Sequence, residues 1–148
     1  MTESEKLYND IATLLTGIGL DLVDLGVSRH KGSTQVRAVV YSANGTGIDE
    51  CSKAHKLIAA RLETVLADAD FSLETASPGI DRTIRSDREY PIFAGRGIRL
   101  FLDDEDVVAG RIVSADASGV LVSTPDGDHP IAFERIRKAK LDYSQEGR

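Results

Sequence analysis

The stretch Ser77-Pro78-Gly79-Ile80-Asp81-Arg82 separates two halves of the chain that differ in sequence pattern. All four prolines of the 148-residue chain lie at or after position 78. Proline fixes φ and glycine permits the unusual φ values of tight turns, so we predict that this stretch forms a sharp corner and serves as a structural hinge motif. The predicted organisation is a domain of residues 1–84 and a domain of residues 85–148, with a hinge at about residues 78–91.

The half before this motif has the pattern of a mixed α+β domain. Apolar residues recur at helical spacing in two segments, and they alternate with polar residues in three others. Two helices packed on one face of a small sheet would bury both kinds of apolar stripe. The predicted elements are a helix over 7–18, a strand over 23–27, a polar turn at 28–33, a strand over 34–42 with one fully buried face, a helix from the N-cap Asp49 to about Asp68, and a strand over 71–75.

The half after the motif consists of short strands and turns. Ile98, Leu100 and Leu102 alternate with Arg99 and Phe101, and the pair Asp126-Gly127 between two apolar runs is typical of a hairpin. The last strand is predicted over 139–143. About five short strands in roughly 50 residues predict a small all-β barrel of the SH3-like or Sm-like kind.

Composition excludes several classes of protein. The sequence contains no run of about 18 apolar residues, so we predict no membrane span. The acidic start MTESEKLYND lacks the basic and apolar regions of a signal peptide. A single cysteine excludes a disulfide framework. We therefore expect a soluble, cytoplasmic protein. Its net charge of -6 repels nucleic acid at long range and attracts basic proteins.

Few residues are candidates for catalysis or metal binding. Cys51 and His55 lie four residues apart on a predicted helix, where they would share a face, but we interpret Cys51 as a small apolar residue near the helix start and His55 as its surface neighbour. The acidic run 103–106 lacks the spaced ligands and internal glycine of a calcium loop, and we interpret it as a hairpin tip. We predict no enzyme activity, no catalytic residue, no metal, no cofactor and no small-molecule substrate.

Two basic stretches are candidate contacts on this acidic chain. Between positions 82 and 99, five arginines accompany only two acids, and a second stretch follows at 135–140. One interpretation is that these side chains stabilise the domains or simply face solvent. The other is that they dock on a nucleoprotein, with candidate contacts Arg82, Arg85, Arg88, Arg135, Arg137 and Lys138.

The chain resembles the ribosome maturation factor RimP family at the motif and in several segments before and after it. The family pattern Ser-Pro-Gly-Leu/Ile-Asp-Arg-Pro-Leu corresponds to residues 77–84, where Thr83 replaces the usual proline. The strand entry at 19–23, the Ile-Asp-Glu-Cys start of the second helix at 48–51 and the closing Ile-x-Lys-Ala-x-Leu at 136–141 follow in the same order. The resemblance therefore extends over nearly the whole chain.

This resemblance implies a cytoplasmic, non-enzymatic assembly factor of the bacterial small (30S) ribosomal subunit. Proteins of the family pair an N-terminal α/β domain with a C-terminal Sm-like or SH3-like barrel and bind immature small subunits. The implied partners are a basic ribosomal protein near the decoding region and 16S rRNA, with no membrane, and we expect a monomer.

Two alternatives remain open from the sequence. One is a sequence-tolerant RNA-binding module, although the GxxG clamp of KH domains and paired RNP aromatics are absent from the sequence. The other is a small hydrolase built on Cys51 and His55.

Overall fold

The computed structural model describes residues 2–67 and 70–146, and the chain divides into two compact units, Met1–Pro78 and Gly79–Arg148. This division falls earlier than the predicted boundary between residues 84 and 85. The reason is that the backbone just after the motif hydrogen-bonds within the second unit: Ile84 N donates to Ala139 O (2.8 Å) and Leu141 N to Arg82 O (2.9 Å). The hinge and the independence of the two domains stay predictions.

The first unit has the predicted order of helices and strands. Its elements are α1 (Glu3–Thr16), β1 (Asp21–His30), β2 (Ser33–Tyr41), α2 (Ile48–Val65) and β3 (Asp70–Ala76). The sheet order is β1-β2-β3, antiparallel between the first two strands and parallel between β2 and β3. The predicted α+β class is thus confirmed for this unit.

Several boundaries in this unit differ from the prediction. The predicted polar turn at 28–33 shrinks to Lys31 and Gly32, because φ values of 50° and 80° there close a two-residue hairpin turn. Gly47 rather than Asp49 is the N-cap of α2, and its N–H donates to the Glu50 carboxylate at 2.8 Å. The predicted end of this helix at Asp68 lies outside the described residues.

The core of the first unit lies between the two helices and the sheet. Helix residues such as Ile11, Leu15 and Ile58 pack with β2 residues Val36 and Val40, all of them nearly inaccessible to solvent. Strand β2 is buried more completely than predicted. Val39 and Tyr41, on its opposite face, are also buried.

The second unit is built on a five-stranded sheet. Its elements are α3 (Glu89–Ile92), β4 (Gly97–Leu102), β5 (Val107–Ala115), β6 (Gly119–Thr124), β7 (Gly127–Ala132) and β8 (Ile136–Leu141), with 3₁₀ turns at Phe133–Arg135 and Tyr143–Gln145. The number of strands agrees with the prediction of about five, although the unit also contains the short helix α3. Strand β8 begins before the predicted 139–143 because Ile136 already pairs with Leu102 of β4.

The described strands of the second unit do not close into the predicted small barrel. Among the described residues the strand order is β7-β6-β5-β4-β8, and no ladder joins the two outer strands β7 and β8. The outer edge of β8 is instead covered by the segment 82–84, since Thr83 forms an isolated antiparallel bridge with Lys140. The motif therefore ends as a short partner of the last strand. No helix in the described part of the chain is long and apolar enough to cross a membrane.

Candidate functional site

Arg82 and Glu89 form an ion pair inside the second unit. The Arg82 Nε donates to Glu89 Oε1 at 2.8 Å, and the two side chains are 10% and 0% exposed. The second carboxylate oxygen of Glu89 accepts the backbone N–H groups of Arg85 (3.0 Å) and Ser86 (3.1 Å). Buried charges persist when such partners surround them, so this carboxylate holds together the chain between the motif and α3.

The predicted contact role of Arg82 must therefore be corrected. A guanidinium that is nearly enclosed and bonded to a buried carboxylate is not presented to a docking partner. Gly79 does not have a positive φ, so this turn does not need a glycine to adopt the left-handed backbone conformation.

The two arginines that follow the motif lie on the surface. Arg85 and Arg88 are exposed, and both lie in the loop between the motif and α3. Glu89 binds the backbone N–H of Arg85 and so holds the loop, and Arg85 itself is exposed. The structure thus keeps these two residues as candidate contacts and separates them from Arg82.

The second basic stretch divides into residues with different surroundings. Arg135 pairs with Asp103 (3.7 Å) and Asp104 (3.0 Å), so its charge is largely compensated. Arg137 is exposed and donates from Nε to Leu102 O at 2.9 Å. Lys138 is exposed, and within residues 2–67 and 70–146 it has no ion pair.

Phe101 lies beside the second basic stretch and was not among the contact residues predicted from the sequence. Strand pairing places Phe101 opposite Lys138, and Arg99 opposite Lys140, on the β4–β8 pair. The alternation around residue 100 shows that Arg99 and Phe101 share a face. Their neighbours on β8 were beyond prediction, since they depend on long-range register.

Within the described part of the chain, no hydrogen bond joins Cys51 to His55. The His55 Nδ1 lies 3.0 Å from Thr75 Oγ1 on β3, so the ring is engaged by the sheet. Burial, with a smaller contribution from the Glu50 carboxylate, raises the pKa of the Cys51 thiol. A raised pKa keeps the sulfur protonated and poorly nucleophilic at neutral pH. This geometry disfavours the hydrolase alternative.

The acidic run 103–106 forms the turn between β4 and β5. Leu102 N donates to Asp106 O at 2.9 Å, and Glu105 takes a φ of 69° at the tip. Two of its carboxylates contact Arg135 rather than converging on one point. In the described part of the chain, no three acidic, histidine or cysteine side chains are grouped as metal ligands.

Comparison with known proteins identifies the family. The family model described as RimP N-terminal domain matches residues 10–81. Ribosome maturation factor RimP of Borrelia turicatae is 35% identical over 139 residues, covering 94% of this chain and 96% of that protein. The chain belongs to the RimP family. RimP of Borrelia hermsii is 34% identical over 141 residues, covering 95% of this chain and 97% of that protein.

Membership of the RimP family confirms two predictions. The resemblance stated from the motif is correct, and the chain belongs to a family of ribosome maturation factors rather than of enzymes. It also implies a role in maturation of the ribosome. The RimP N-terminal match ends at Asp81, inside the motif, and does not include Arg82 or the basic surface of the second unit.

Proposed function

We propose that this protein assists assembly of the bacterial 30S subunit by docking on immature subunits through a basic ribosomal protein and nearby 16S rRNA. The observation that supports this most directly is near full-length similarity to proteins named ribosome maturation factor RimP. We expect the protein to act in the cytoplasm, where ribosomes are assembled, and to act as a monomer.

The charge distribution fits two kinds of contact. A net charge of -6 favours approach to a basic ribosomal protein, while exposed cations can contact rRNA phosphates locally. The proposed contact residues are Arg85, Arg88, Arg137 and Lys138, which are exposed. Arg135 is a weaker candidate because Asp103 and Asp104 already bind it.

The proposed mechanism is positional. The factor binds an immature subunit, favours one arrangement of protein and rRNA, and leaves when mature contacts replace it. Since a ligand shifts an equilibrium only by its differential affinity for two states, immature subunits must bind it more tightly than mature ones.

Co-sedimentation of the labelled protein with immature and mature small subunits tests this proposal. We expect clear preference for the immature particles, and equal binding to both would contradict it. The double variant Arg85→Glu/Arg88→Glu should weaken binding, whereas the control Lys53→Glu/Lys56→Glu, on the exposed face of α2, should not. Unchanged urea denaturation of each variant shows that folding is intact.

We further propose that the second unit is an open relative of the SH3-like or Sm-like architecture. Support comes from four consecutive antiparallel strands, a 3₁₀ turn before the last strand, and the pairing of that strand with the first strand of the unit. An experimental structure whose strand order differs from β7-β6-β5-β4-β8 would overturn this description.

A further inference from the structure

One face of the second unit's sheet combines an aromatic ring with cations. Ile98, Leu100 and Leu102 of β4 are buried, and side chains alternate along a strand, so Arg99 and Phe101 project from the opposite face. Lys138 and Lys140 of β8 lie beside them. We call this set, Arg99, Phe101, Lys138 and Lys140, the outer face.

Strand register places these side chains in two neighbouring rows. Phe101 lies opposite Lys138 on one side and opposite Val107 on the other, and Val107 is 46% exposed. Lys140 lies opposite Arg99 in the next row. Directly opposite residues in an antiparallel pair have Cβ atoms about 4.5–5.5 Å apart, so the partly exposed Phe101 has Lys138 and Val107 as its direct cross-strand neighbours.

The outer face is positively charged although the protein as a whole is acidic. Lys138 and Lys140 have no ion pair within the described ranges 2–67 and 70–146, and Arg99, 41% exposed, pairs with Asp142 at 2.8 Å. Three cations therefore accompany one carboxylate. The acidic turn at 103–106 lies nearby, but Arg135 pairs with two of its four carboxylates. The negative potential of this turn at the outer face is therefore reduced.

The β8 edge of this sheet, beside the outer face, is closed to another strand. The segment 82–84 already bonds to β8, so an extended peptide cannot add to the sheet there. A partner must lie across the face rather than along its edge. Lysines are depleted in the centres of protein–protein interfaces, whereas an aromatic ring beside lysines is typical of single-stranded nucleic-acid sites.

We propose that the outer face binds a single-stranded segment of RNA. One base stacks on the Phe101 ring, and the flanking phosphates contact Lys138 and Lys140. Because stacking accepts every base, the site has little sequence preference. This inference rests on the proposed function for the source of the RNA, which is exposed rRNA of an unfinished subunit.

Fluorescence polarisation with a labelled 12-nucleotide mixed-sequence RNA tests the site on the full chain. Phe101→Leu keeps apolar packing but removes the ring, and we expect about tenfold weaker binding. Lys138→Gln/Lys140→Gln should also weaken binding and reduce the slope of log K against log salt by about 1.4, since each phosphate contact contributes about 0.7 for single strands. The control Lys53→Gln/Lys56→Gln should match the parent protein in both respects.

The outcomes separate this inference from the proposed function. Parent-like RNA binding by both outer-face variants, with urea denaturation unchanged, overturns the inference. Absence of RNA binding together with preference for immature subunits also overturns it and leaves the proposed function standing. RNA binding lost in both variants, without preference for immature subunits, supports the outer face and contradicts the proposed function. Crosslinking of a protein segment to the outer face, in place of RNA, would assign it to a protein partner instead.

Discussion

The Nε of Arg82 donates a 2.8 Å hydrogen bond to the Glu89 carboxylate in the interior of the second unit. The motif arginine and the first residue of α3 are thereby joined across a short loop, whose N–H groups at Arg85 and Ser86 bind the same carboxylate. The pair stabilises the connection between the motif and the sheet, and it explains why an arginine at the end of the motif is structural.

Glu89→Ala should destabilise the protein by about 3–5 kcal/mol, because it leaves the Arg82 charge buried without its partner. Urea denaturation measures the free energy of unfolding. Asp87→Asn is the matched control, since Asp87 is exposed two residues away, and it should change stability little. A loss below about 1 kcal/mol in Glu89→Ala would contradict the structural role.

The double variant Arg82→Met/Glu89→Met should lose less stability than the sum of the two single variants. Each single variant strands one buried charge, whereas the double variant removes both. Unfolding free energies of the four proteins give the coupling directly. Strict additivity would mean that the two side chains do not depend on each other.

Thr83→Pro should leave stability unchanged or raise it by about 0.4–1 kcal/mol, because proline restricts the unfolded chain. The bridge to β8 uses the N–H of Ile84 and of Leu141, and in the described structure the N–H of Thr83 is not among its donors. Ile84→Pro is the control, since it removes the bond to Ala139 O. Equal destabilisation by both prolines, measured by thermal unfolding, would refute this assignment of donors.

Cys51 should react slowly with iodoacetamide at pH 7 and faster as the pH rises. Burial raises the pKa of its thiol, so the reactive thiolate forms only at higher pH than in an ordinary cysteine. The alkylation rate against pH, compared with a cysteine peptide, measures this shift. A midpoint below that of the peptide would indicate an activated thiolate and would revive the hydrolase alternative.

Asp142→Asn should lower stability at pH 7 and have a smaller effect in acid. A 2.6 Å hydrogen bond from the Ser144 hydroxyl, with a further contribution from Arg99, lowers the pKa of Asp142. A carboxyl group whose pKa is lowered by folding contributes stability above its unfolded pKa of about 3.9, and that contribution is lost as the pH falls through the folded value. Urea denaturation of both proteins between pH 7 and pH 3 tests this. An equal difference at both ends would contradict it.

Local sequence patterns predicted which helices and strands form better than they predicted the first and last residue of each. The helices and strands of the first unit follow from apolar periodicity, which is a property of neighbouring residues. The predicted start of α2 at Asp49 was wrong. The Glu50 carboxylate accepts the N–H of Gly47, three residues earlier, so the helix has Gly47 as its N-cap. Closure of the barrel was predicted wrongly because strand count does not determine whether the two outer strands meet.

The contact roles of the site residues stay predictions, and the sequence predicted the exposure of only some of them. Arg85, Arg88 and Lys138 are exposed as expected of charged residues in a loop and on a solvent-facing strand. Nothing in the local sequence indicates that Arg82 is buried, since its partner Glu89 looks like an ordinary surface acid at the start of a helix. Phe101 likewise looks like a core residue until its alternation with buried leucines is combined with the pairing of β4.

The sequence by itself determined the family, the order of elements and the change of pattern at the motif, because each depends on residue types at short, regular spacing. Only the tertiary structure decided that Arg82 faces Glu89 in the interior and that Phe101 lies between Lys138 and Val107. These neighbours are set by burial and by strand register between distant segments. Such contacts arise from the packing of the whole unit, and no local pattern specifies them.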